Sequence, residues 1–308
     1  MTPNTLDFTE CDLSTAEKMN VAPSELPTDL AADSFVRIED KFFIPGAIQA
    51  QTIEFLEQHM VLSYPDGGSG FTIIESIYFD SQEMDLFQHH FNKPEKRSKL
   101  RIRRYAPRGV WNEETCFIEA KTKTKKGDQS VSSKERFKLD PTNLDLLMKA
   151  QTISISNKLL SLNKNLNAAE LLRRVEMVND LVNQYQLVPQ MRVRYERLAF
   201  EGKESSCTES LGMKGGIRVT LDKGIVVERL TPFRNGLSQA LQSMGIWAEA
   251  EALGKVFSCD ETVIMEVKHR GVLPSWLDAY LKSQSISKVS FSKYCWGVAQ
   301  QVKSIGVG

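Results

Sequence analysis

The sequence has few of the residues that carry disulfide, metal–thiolate or histidine chemistry. It contains five cysteines, an odd number, which are scattered and never form a CxxC pair. That pattern argues against a disulfide framework and a zinc site, and it predicts a reducing, cytoplasmic location. The four histidines stand at no spacing typical of a catalytic site. Thiol and imidazole chemistry are therefore poor candidates for the function.

Long hydrophobic runs and an excess of charge of one sign are also missing. No apolar stretch approaches the roughly 20 residues that span a bilayer, and the N-terminus lacks the basic-then-apolar order of a signal peptide. The 39 basic and 39 acidic residues give a net charge of zero. We expect a globular protein without a transmembrane segment and without a global preference for nucleic acid.

The charge that is present is distributed unevenly. Residues 1–34 carry seven acids against one base, whereas residues 98–138 carry twelve bases against five acids. We interpret residues 1–34 as an acidic flexible N-terminal arm and residues 35–304 as one domain. The basic charge is thus concentrated inside the folded part of the chain.

The periodicity of the domain changes twice. Strand-like segments are predicted at 35–44, 71–80, 98–106, 115–124 and 133–139, and again at 190–200, 215–221, 224–229 and 261–270. Between these groups, residues at about 141–187 are leucine-rich with a period near 3.6, which predicts a helical insertion. Further helices are predicted after Pro45, at about 234–246, after Pro274 and at 292–304. The class is therefore α+β around a large antiparallel sheet or barrel.

Several predicted strands alternate charged and apolar residues, and the charged side is mostly basic. Lys99-Leu100-Arg101-Ile102-Arg103 is the clearest case. Successive strand side chains point to opposite faces, so Lys99, Arg101 and Arg103 share one surface. Because like charges two residues apart repel, such a face requires a polyanion opposite it. The commonest group of this kind is phosphate. One strand of this kind is more often a solvated outer face, but the recurrence in seven strands weakens that interpretation.

A barrel with a charged lumen would bring these faces together. Its helices would pack outside against the apolar sides of the strands. Removing water from so many like charges would be prohibitive without a ligand. A hydrated tunnel that receives a phosphate chain and a divalent cation resolves the difficulty, and the few carboxylates would then hold Mg²⁺ or Mn²⁺.

Eight short motifs occur in an order typical of a known family. They are Tyr78-Phe79-Asp80, Lys99 to Tyr105, Phe117 to Lys121, Arg192 to Arg197, Arg218 to Asp222, Ile264 to Lys268, Leu273 to Trp276 and Phe291 to Tyr294. Together, over about residues 35–300, they resemble the VTC domain. That domain is the catalytic module of vacuolar transporter chaperone polyphosphate polymerases, within the triphosphate tunnel metalloenzyme (CYTH-like) superfamily.

The resemblance implies a closed antiparallel β-tunnel with helices packed outside. It also implies transfer of the γ-phosphoryl group of ATP to a growing inorganic polyphosphate chain, with Mn²⁺ or Mg²⁺ as cofactor. The expected ligands are ATP, pyrophosphate and polyphosphate, with no nucleic acid. Because the sequence shows no transmembrane segment, two alternatives stay open: a stand-alone soluble form, and a form that works with a separate membrane partner.

The resemblance also implies a role for individual charged residues. The residues expected to contact phosphate in catalysis are Arg101, Arg103, Lys121, Arg192, Arg194, Arg218 and Lys268. Those expected to line the tunnel or its mouth are Lys41, Lys99, Lys123, Lys134, Arg136 and Lys293. The expected metal ligands are Glu266, Glu39 and Glu119.

One motif departs from the superfamily pattern. Tunnel triphosphatases and class IV-type cyclases carry E-x-E-x-K near the N-terminus, whereas this chain reads Arg37-Ile38-Glu39-Asp40-Lys41. Loss of the first carboxylate weakens a two-metal hydrolytic arrangement, favours the polymerase branch and leaves the metal mainly on Glu266.

Two other functions fit the same residues. A tunnel triphosphatase would release phosphate from tripolyphosphate or a nucleoside triphosphate. A non-catalytic module would hold polyphosphate or an inositol phosphate. Nucleic-acid binding is disfavoured, because no aromatic residues are interleaved with the basic ones to stack on bases.

Overall fold

The computed structural model describes residues 37–63, 70–107, 109–111, 116–127, 129–203, 216–233, 237–243, 246 and 261–303. The predicted acidic arm lies outside these residues, as does part of the helix predicted at about 234–246. Of the five cysteines, Cys116 and Cys295 are buried free thiols. The other three lie outside the described residues.

Nine strands form one sheet within the described residues. They are β1 (Arg37–Pro45), β2 (Met60–Leu62), β3 (Thr72–Asp80), β4 (Lys96–Pro107), β5 (Phe117–Lys126), β6 (Gln129–Lys138), β7 (Val188–Gly202), β8 (Arg218–Arg229) and β9 (Thr262–Arg270). The helices are α1 (Gln49–His59), α2 (Asp85–Asn92), α3 (Pro141–Met148), α4 (Asn157–Leu162), α5 (Ala168–Tyr185), α6 (Leu237–Ser243), α7 (Ser275–Ser283) and α8 (Lys293–Lys303). The predicted order of strands and helices is confirmed, with β2 and α2 as additions and with one continuous strand, Arg218–Arg229, in place of the two predicted at 215–221 and 224–229.

The sheet is antiparallel throughout, with the strand order β1-β9-β8-β7-β3-β4-β5-β6 and with β2 paired to the end of β7. This confirms a large antiparallel sheet with helices around it. The closed barrel is not confirmed. In the described part of the chain β1 and β6 are the sheet edges, and no strand pairing joins them.

The open sheet nevertheless curls strongly. Six strand spacings separate β1 from β5, which would place them about 29 Å apart in a flat sheet at about 4.8 Å per spacing. Yet Lys41 of β1 donates to the Phe291 carbonyl at 2.8 Å, and Lys99 of β4, the neighbour of β5, donates to the hydroxyl of the next residue, Ser292, at 3.1 Å. Opposite sides of the sheet therefore face each other across a concave face, which carries Lys41, Arg101 and Lys121.

Helices cover most of the outer face, which carries Phe42, Leu100 and Ile118. The helical insertion α3 to α5, predicted at 141–187, forms one apolar cluster with β4, β5 and β6, in which Leu171 and Val175 of α5 take part. Helices α1 and α7 form a second cluster with β1, β9, β8 and β7. These clusters explain why the outer residues of those strands are apolar.

Local sequence signals start each helix of the insertion. Asp140 precedes Pro141, and its carboxylate accepts a hydrogen bond from the backbone N–H of Asn143. Ser156 and Asn167 cap α4 and α5 in the same way. Side-chain acceptors at these positions satisfy N–H groups that have no partner inside the helix. The insertion is thus encoded locally.

Helix α8 packs on the concave face instead. Its Tyr294, Cys295 and Val298 belong to a third apolar cluster with Met191 and Val193 of β7. A Cβ added at Gly297 would lie 3.0 Å from a methyl carbon of Val227 on β8. Helix α8 therefore fills one end of the concave face and leaves the remaining charged part as a groove.

Candidate functional site

The strand registers place most of the predicted site residues on one surface. Lys41 pairs with Glu266, Glu39 with Lys268, Lys99 with Lys121 and Arg101 with Glu119. The charged groove is defined here by Glu39, Lys41, Lys99, Arg101, Arg103, Glu119, Lys121, Lys123, Lys134, Arg136, Arg197, Arg218, Asp222, Glu266, Lys268 and Lys293. Alternation along each strand brings these side chains together.

Glu119 is the centre of the first cluster in the groove. Its side chain is 2% exposed and lies within 4 Å of four cations, which are Arg101, Arg103, Lys134 and Arg136. Arg101 donates to Glu119 Oε2 from Nε (2.8 Å) and Nη2 (2.6 Å), and Lys134 donates to Oε1 at 2.9 Å. Burial raises the pKa of Glu119, but Arg101, Arg103 and Lys134 outweigh burial and hold it well below its usual range.

Asp222 is the centre of the second cluster. The fully buried carboxylate accepts a bidentate pair of hydrogen bonds from Arg197, at 2.6 and 2.7 Å, and lies 2.5 Å from Lys293 Nζ. Burial raises the pKa of Asp222, and the two cations more than offset this, so the pKa lies below its usual value. The cluster joins β7, β8 and α8 inside the groove.

Glu266 and Glu39 form the third cluster. Lys268 Nζ lies 2.7 Å from Glu266 Oε1 and 3.8 Å from Glu39 Oε2, so one ammonium group bridges the two carboxylates. Burial raises the pKa of Glu266, yet Lys268, Lys41, Arg197 and Lys293 hold it well below its usual range. Burial lowers the pKa of Lys41.

Other cations of the groove have no such partner. Within the described residues, no carboxylate lies within 4 Å of Arg218, Lys99, Lys121 or Lys123. Arg218 Nε is buried without a hydrogen-bond partner. Lys99 donates to the Ser292 hydroxyl at 3.1 Å. Positive charge in the groove therefore exceeds the negative charge around it.

The expectation that Arg192 and Arg194 share this surface is wrong. In the register of β3 with β7, Glu75 pairs with Arg194, whereas Ser76, on the concave face, pairs with Val193. On the outer face Arg192 contacts Glu228 (2.6 Å) and Glu75 (3.7 Å). The concave side of β7 is apolar at this end because α8 covers it.

Arg197 takes the place that Arg192 and Arg194 were expected to hold. It pairs with Asp222 across β7 and β8 on the concave side. The prediction missed it because the charged side of β7 was assigned from Arg192, Arg194 and Glu196, which alternate along the opposite side of the strand. A usable signal was Asp222, a carboxylate on the basic side of its own strand that required a cation from a neighbour.

The donor set of the groove fits a divalent cation only in part. No group of three or more His, Cys, Asp or Glu able to hold a metal occurs among the described residues. Glu119 is engaged by its four cations, so it does not join Glu39 and Glu266 in one ligand set. Mg²⁺ is commonly held by one or two carboxylates together with substrate phosphates. Glu266 and Glu39 meet that minimum.

The fold and the groove define a class of protein in which a curled antiparallel sheet carries a basic concave surface. The VTC domain family matches residues 36–302, and this chain belongs to that family. It is also similar to vacuolar transporter chaperone complex subunit 4 of Schizosaccharomyces pombe, at 23% identity over 289 residues. The match covers 86% of this chain and 37% of the relative, so the chain spans little more than a third of the relative's length.

No helix in the described residues combines the length and the apolar character needed to cross a membrane.

Proposed function

We propose that the charged groove binds ATP and inorganic polyphosphate and transfers the γ-phosphoryl group of ATP to the end of the polyphosphate chain. The observation that carries this proposal is the one-sided charge of the groove, in which cations outnumber the carboxylates that orient them. Membership of the VTC domain family supports a polyphosphate-related function.

The buried carboxylates hold the cations without neutralising the groove. Glu119 faces four cations and Asp222 faces two. Each cluster therefore keeps a surplus of positive charge for phosphoryl oxygens. Arginine supplies fixed, paired donors, and lysine supplies point charge, so the clusters can both orient and neutralise a triphosphate.

The reaction requires the protein mainly to position ATP and the acceptor and to neutralise the charge of their phosphates. A terminal phosphate oxygen of the acceptor attacks the γ-phosphorus of ATP, the bond from that phosphorus to the β,γ-bridging oxygen breaks, and ADP leaves. The acceptor oxygen is already anionic, so no proton has to be removed. The transition state is loose, and its spread charge is stabilised by donors fixed beforehand.

A divalent cation would be held by Glu266, with Glu39 beside it, and would neutralise charge on the phosphoryl oxygens when bound. In the structure Lys268 lies between these two carboxylates. Lys268 would then turn toward the phosphates. This role for Glu266 and Glu39, and the use of Mn²⁺ or Mg²⁺, are part of the proposal.

The test compares an arginine of the groove with one on the outer face. Arg218→Ala removes a cation that has no carboxylate partner among the described residues, so no buried charge is left behind. Arg194→Ala is the control, because Arg194 lies on the outer face. We expect Arg218→Ala to lower the rate of polymer formation by about 10²–10³-fold and Arg194→Ala to leave it unchanged.

The assay is incubation with ATP and Mn²⁺, with and without pyrophosphate, followed by a gel stained for polyphosphate. Equal polymer from wild type and Arg218→Ala would contradict the proposed role of the groove. Free phosphate in place of polymer would identify a triphosphatase. Tight polyphosphate binding without ATP turnover would identify a binding module.

The relative is named as a subunit of a complex, which supports a protein partner for this chain as well. A membrane partner and a cytoplasmic location stay predictions.

A further inference from the structure

A row of cations continues the charged groove along the β4–β5 strand pair. Arg97 and Lys99 of β4 and Lys121, Lys123 and Lys125 of β5 occupy alternate positions on the concave side. We call these five residues the hairpin lane; Lys99, Lys121 and Lys123 belong to the charged groove, and Arg97 and Lys125 extend the row past it. Within the described residues none of them has a carboxylate within 4 Å. This distinguishes the lane from the three clusters of the groove, in which carboxylates hold the cations.

The strand register places like charges of the lane opposite each other, which lowers the stability of the folded chain. Lys99 lies directly opposite Lys121, and Arg97 lies directly opposite Lys123. Like charges that face each other across two strands destabilise the sheet. No charge in the described residues offsets these two pairs at contact distance. A repulsion that the fold does not relieve indicates that an external anion relieves it.

Helix α2 adds to the positive field on the same side. Burial lowers the pKa of His90 to about 4, and the cations Lys99, Arg97, Lys41 and Lys93 lower it further. The end of α2 therefore adds Lys93 to the cations of β1 and β4 on this side of the sheet. The lane is thus one part of a larger basic surface formed by β1, β4, β5 and the end of α2.

We propose that the hairpin lane extends polyphosphate binding beyond the charged groove, through Arg97 and Lys125, so that the protein holds long chains more tightly than short ones. The inference rests on the proposed function only for the identity of the ligand. From Lys121 to Lys125 the strand advances about 13 Å at about 3.3 Å per residue, which is enough for several phosphate units. The residues of the lane are mostly lysine, which binds as a point charge without fixed geometry. Such a surface holds a chain while allowing it to slide.

The experiment measures binding and needs no turnover. The double variant Arg97→Gln, Lys125→Gln, called the lane variant, changes the two lane residues that lie outside the charged groove. It is compared with a control of equal charge change, Lys149→Gln, Lys158→Gln, whose residues are exposed on the helical insertion. The probes are tripolyphosphate and a labelled polyphosphate much longer than the groove, each titrated at several salt concentrations.

For the lane variant we expect weaker binding of long polyphosphate, with the slope of log Kd against log salt reduced by about 1.4, as for the loss of two phosphate contacts at about 0.7 each. Its affinity for tripolyphosphate should equal that of wild type, and the control should match wild type with both probes. The thermal midpoint of the lane variant should be unchanged or higher, because the like-charge pair of Arg97 and Lys123 is removed.

Equal affinity of the lane variant and the control for long polyphosphate would overturn the proposal. An equal loss for tripolyphosphate would also overturn it, because Arg97 and Lys125 would then act as part of the groove. If single-stranded RNA of the same charge binds wild type as tightly, and loses affinity in the lane variant as much, the lane is a general polyanion surface and the proposal is wrong. Because no outcome depends on ATP turnover, absence of polymerase activity leaves the result interpretable.

Discussion

At the scale of single residues, buried carboxylates organise the cations of the groove. Glu119 and Asp222 are both almost fully buried, and each orients guanidinium groups through hydrogen bonds shorter than 3 Å. Removing one partner of such a set leaves an uncompensated buried charge, which is strongly destabilising. For this reason Arg218, which has no such partner, is a cleaner probe of phosphate binding than Arg101.

Asp80 is a buried carboxylate with a different environment. It accepts hydrogen bonds from the backbone N–H groups of Ser81, Leu86 and Phe87 and from the Tyr294 hydroxyl. Asp80 thereby caps the N-terminus of α2 and links it to α8 through the hydrogen bond from Tyr294. Burial raises the pKa of Asp80 to about 7, although these hydrogen bonds act to lower it.

This pKa predicts a pH dependence of stability. An unfolded aspartate has a pKa of about 3.9, so between about pH 4 and pH 7 the folded chain keeps a proton that the unfolded chain has lost. The contribution of Asp80 to the free energy of unfolding should therefore fall as pH rises through this window and level off above it. At 1.36 kcal/mol per pKa unit, the fall is at most about 4 kcal/mol.

Urea denaturation at several pH values checks this prediction. The difference between wild type and Asp80→Asn isolates Asp80 from other titrating groups, and this difference should change across pH 4 to 7. Asp145→Asn is the control, because Asp145 is an exposed carboxylate. A difference that stays constant with pH would show that Asp80 titrates normally.

At the scale of elements, α8 decides which side of β7 is charged. Its Tyr294 and Val298 cover the concave side of that strand at Met191 and Val193, so the arginines at 192 and 194 occupy the outer side. Beyond the helix the concave side becomes charged again at Arg197. A packed helix has thus divided the inner surface of one strand into an apolar part and a charged part.

The close approach of α8 to the sheet can be tested at Gly297. In Gly297→Ala the new Cβ would lie 3.0 Å from Val227 Cγ1 and 3.4 Å from Val227 Cβ, and the rigid valine has little room to move. We expect a loss of about 1–2 kcal/mol in the free energy of unfolding, despite the better helix propensity of alanine. Val227→Ala in the same chain should restore part of the loss. Equal stability of Gly297→Ala and wild type in urea denaturation would show that α8 is less tightly packed.

At the scale of the whole molecule, the curl of the sheet gathers cations from β1, β4, β5, β8 and β9 around one space. Burial lowers the pKa of Lys41, for example, and the charges of Lys293 on α8 and Lys99 on β4 lower it further. Mutual repulsion of these charges lowers the stability of the folded chain. An anion that binds in the groove relieves it.

Polyvalent anions should therefore stabilise the protein more than their ionic strength explains. At one hundred times its Kd, tripolyphosphate adds about 2.7 kcal/mol to the free energy of unfolding. We expect a higher Tm with tripolyphosphate than with sodium chloride of equal ionic strength. The increase should be smaller in Arg218→Ala and unchanged in Arg194→Ala. Equal Tm values in the two salts would contradict anion binding in the groove.

The sequence by itself determined the features that depend on neighbouring residues along the chain. Alternation within a strand placed Lys99, Arg101 and Arg103 on one face, and period and capping residues defined the insertion from Pro141 to Tyr185. The residue order also identified the family. Side-chain direction and helix capping are set within a few residues, so a pattern in the sequence is enough to predict them.

Only the tertiary structure decided how these pieces combine. It left the sheet open, placed Arg197 in the groove in place of Arg192 and Arg194, and separated paired cations from the unpaired ones of the hairpin lane. Each of these depends on contacts between distant segments, such as α8 against β7 or Asp222 against Arg197. The face of a strand that a distant helix will cover, and the cation that a buried carboxylate will hold, are fixed by packing and not by local pattern.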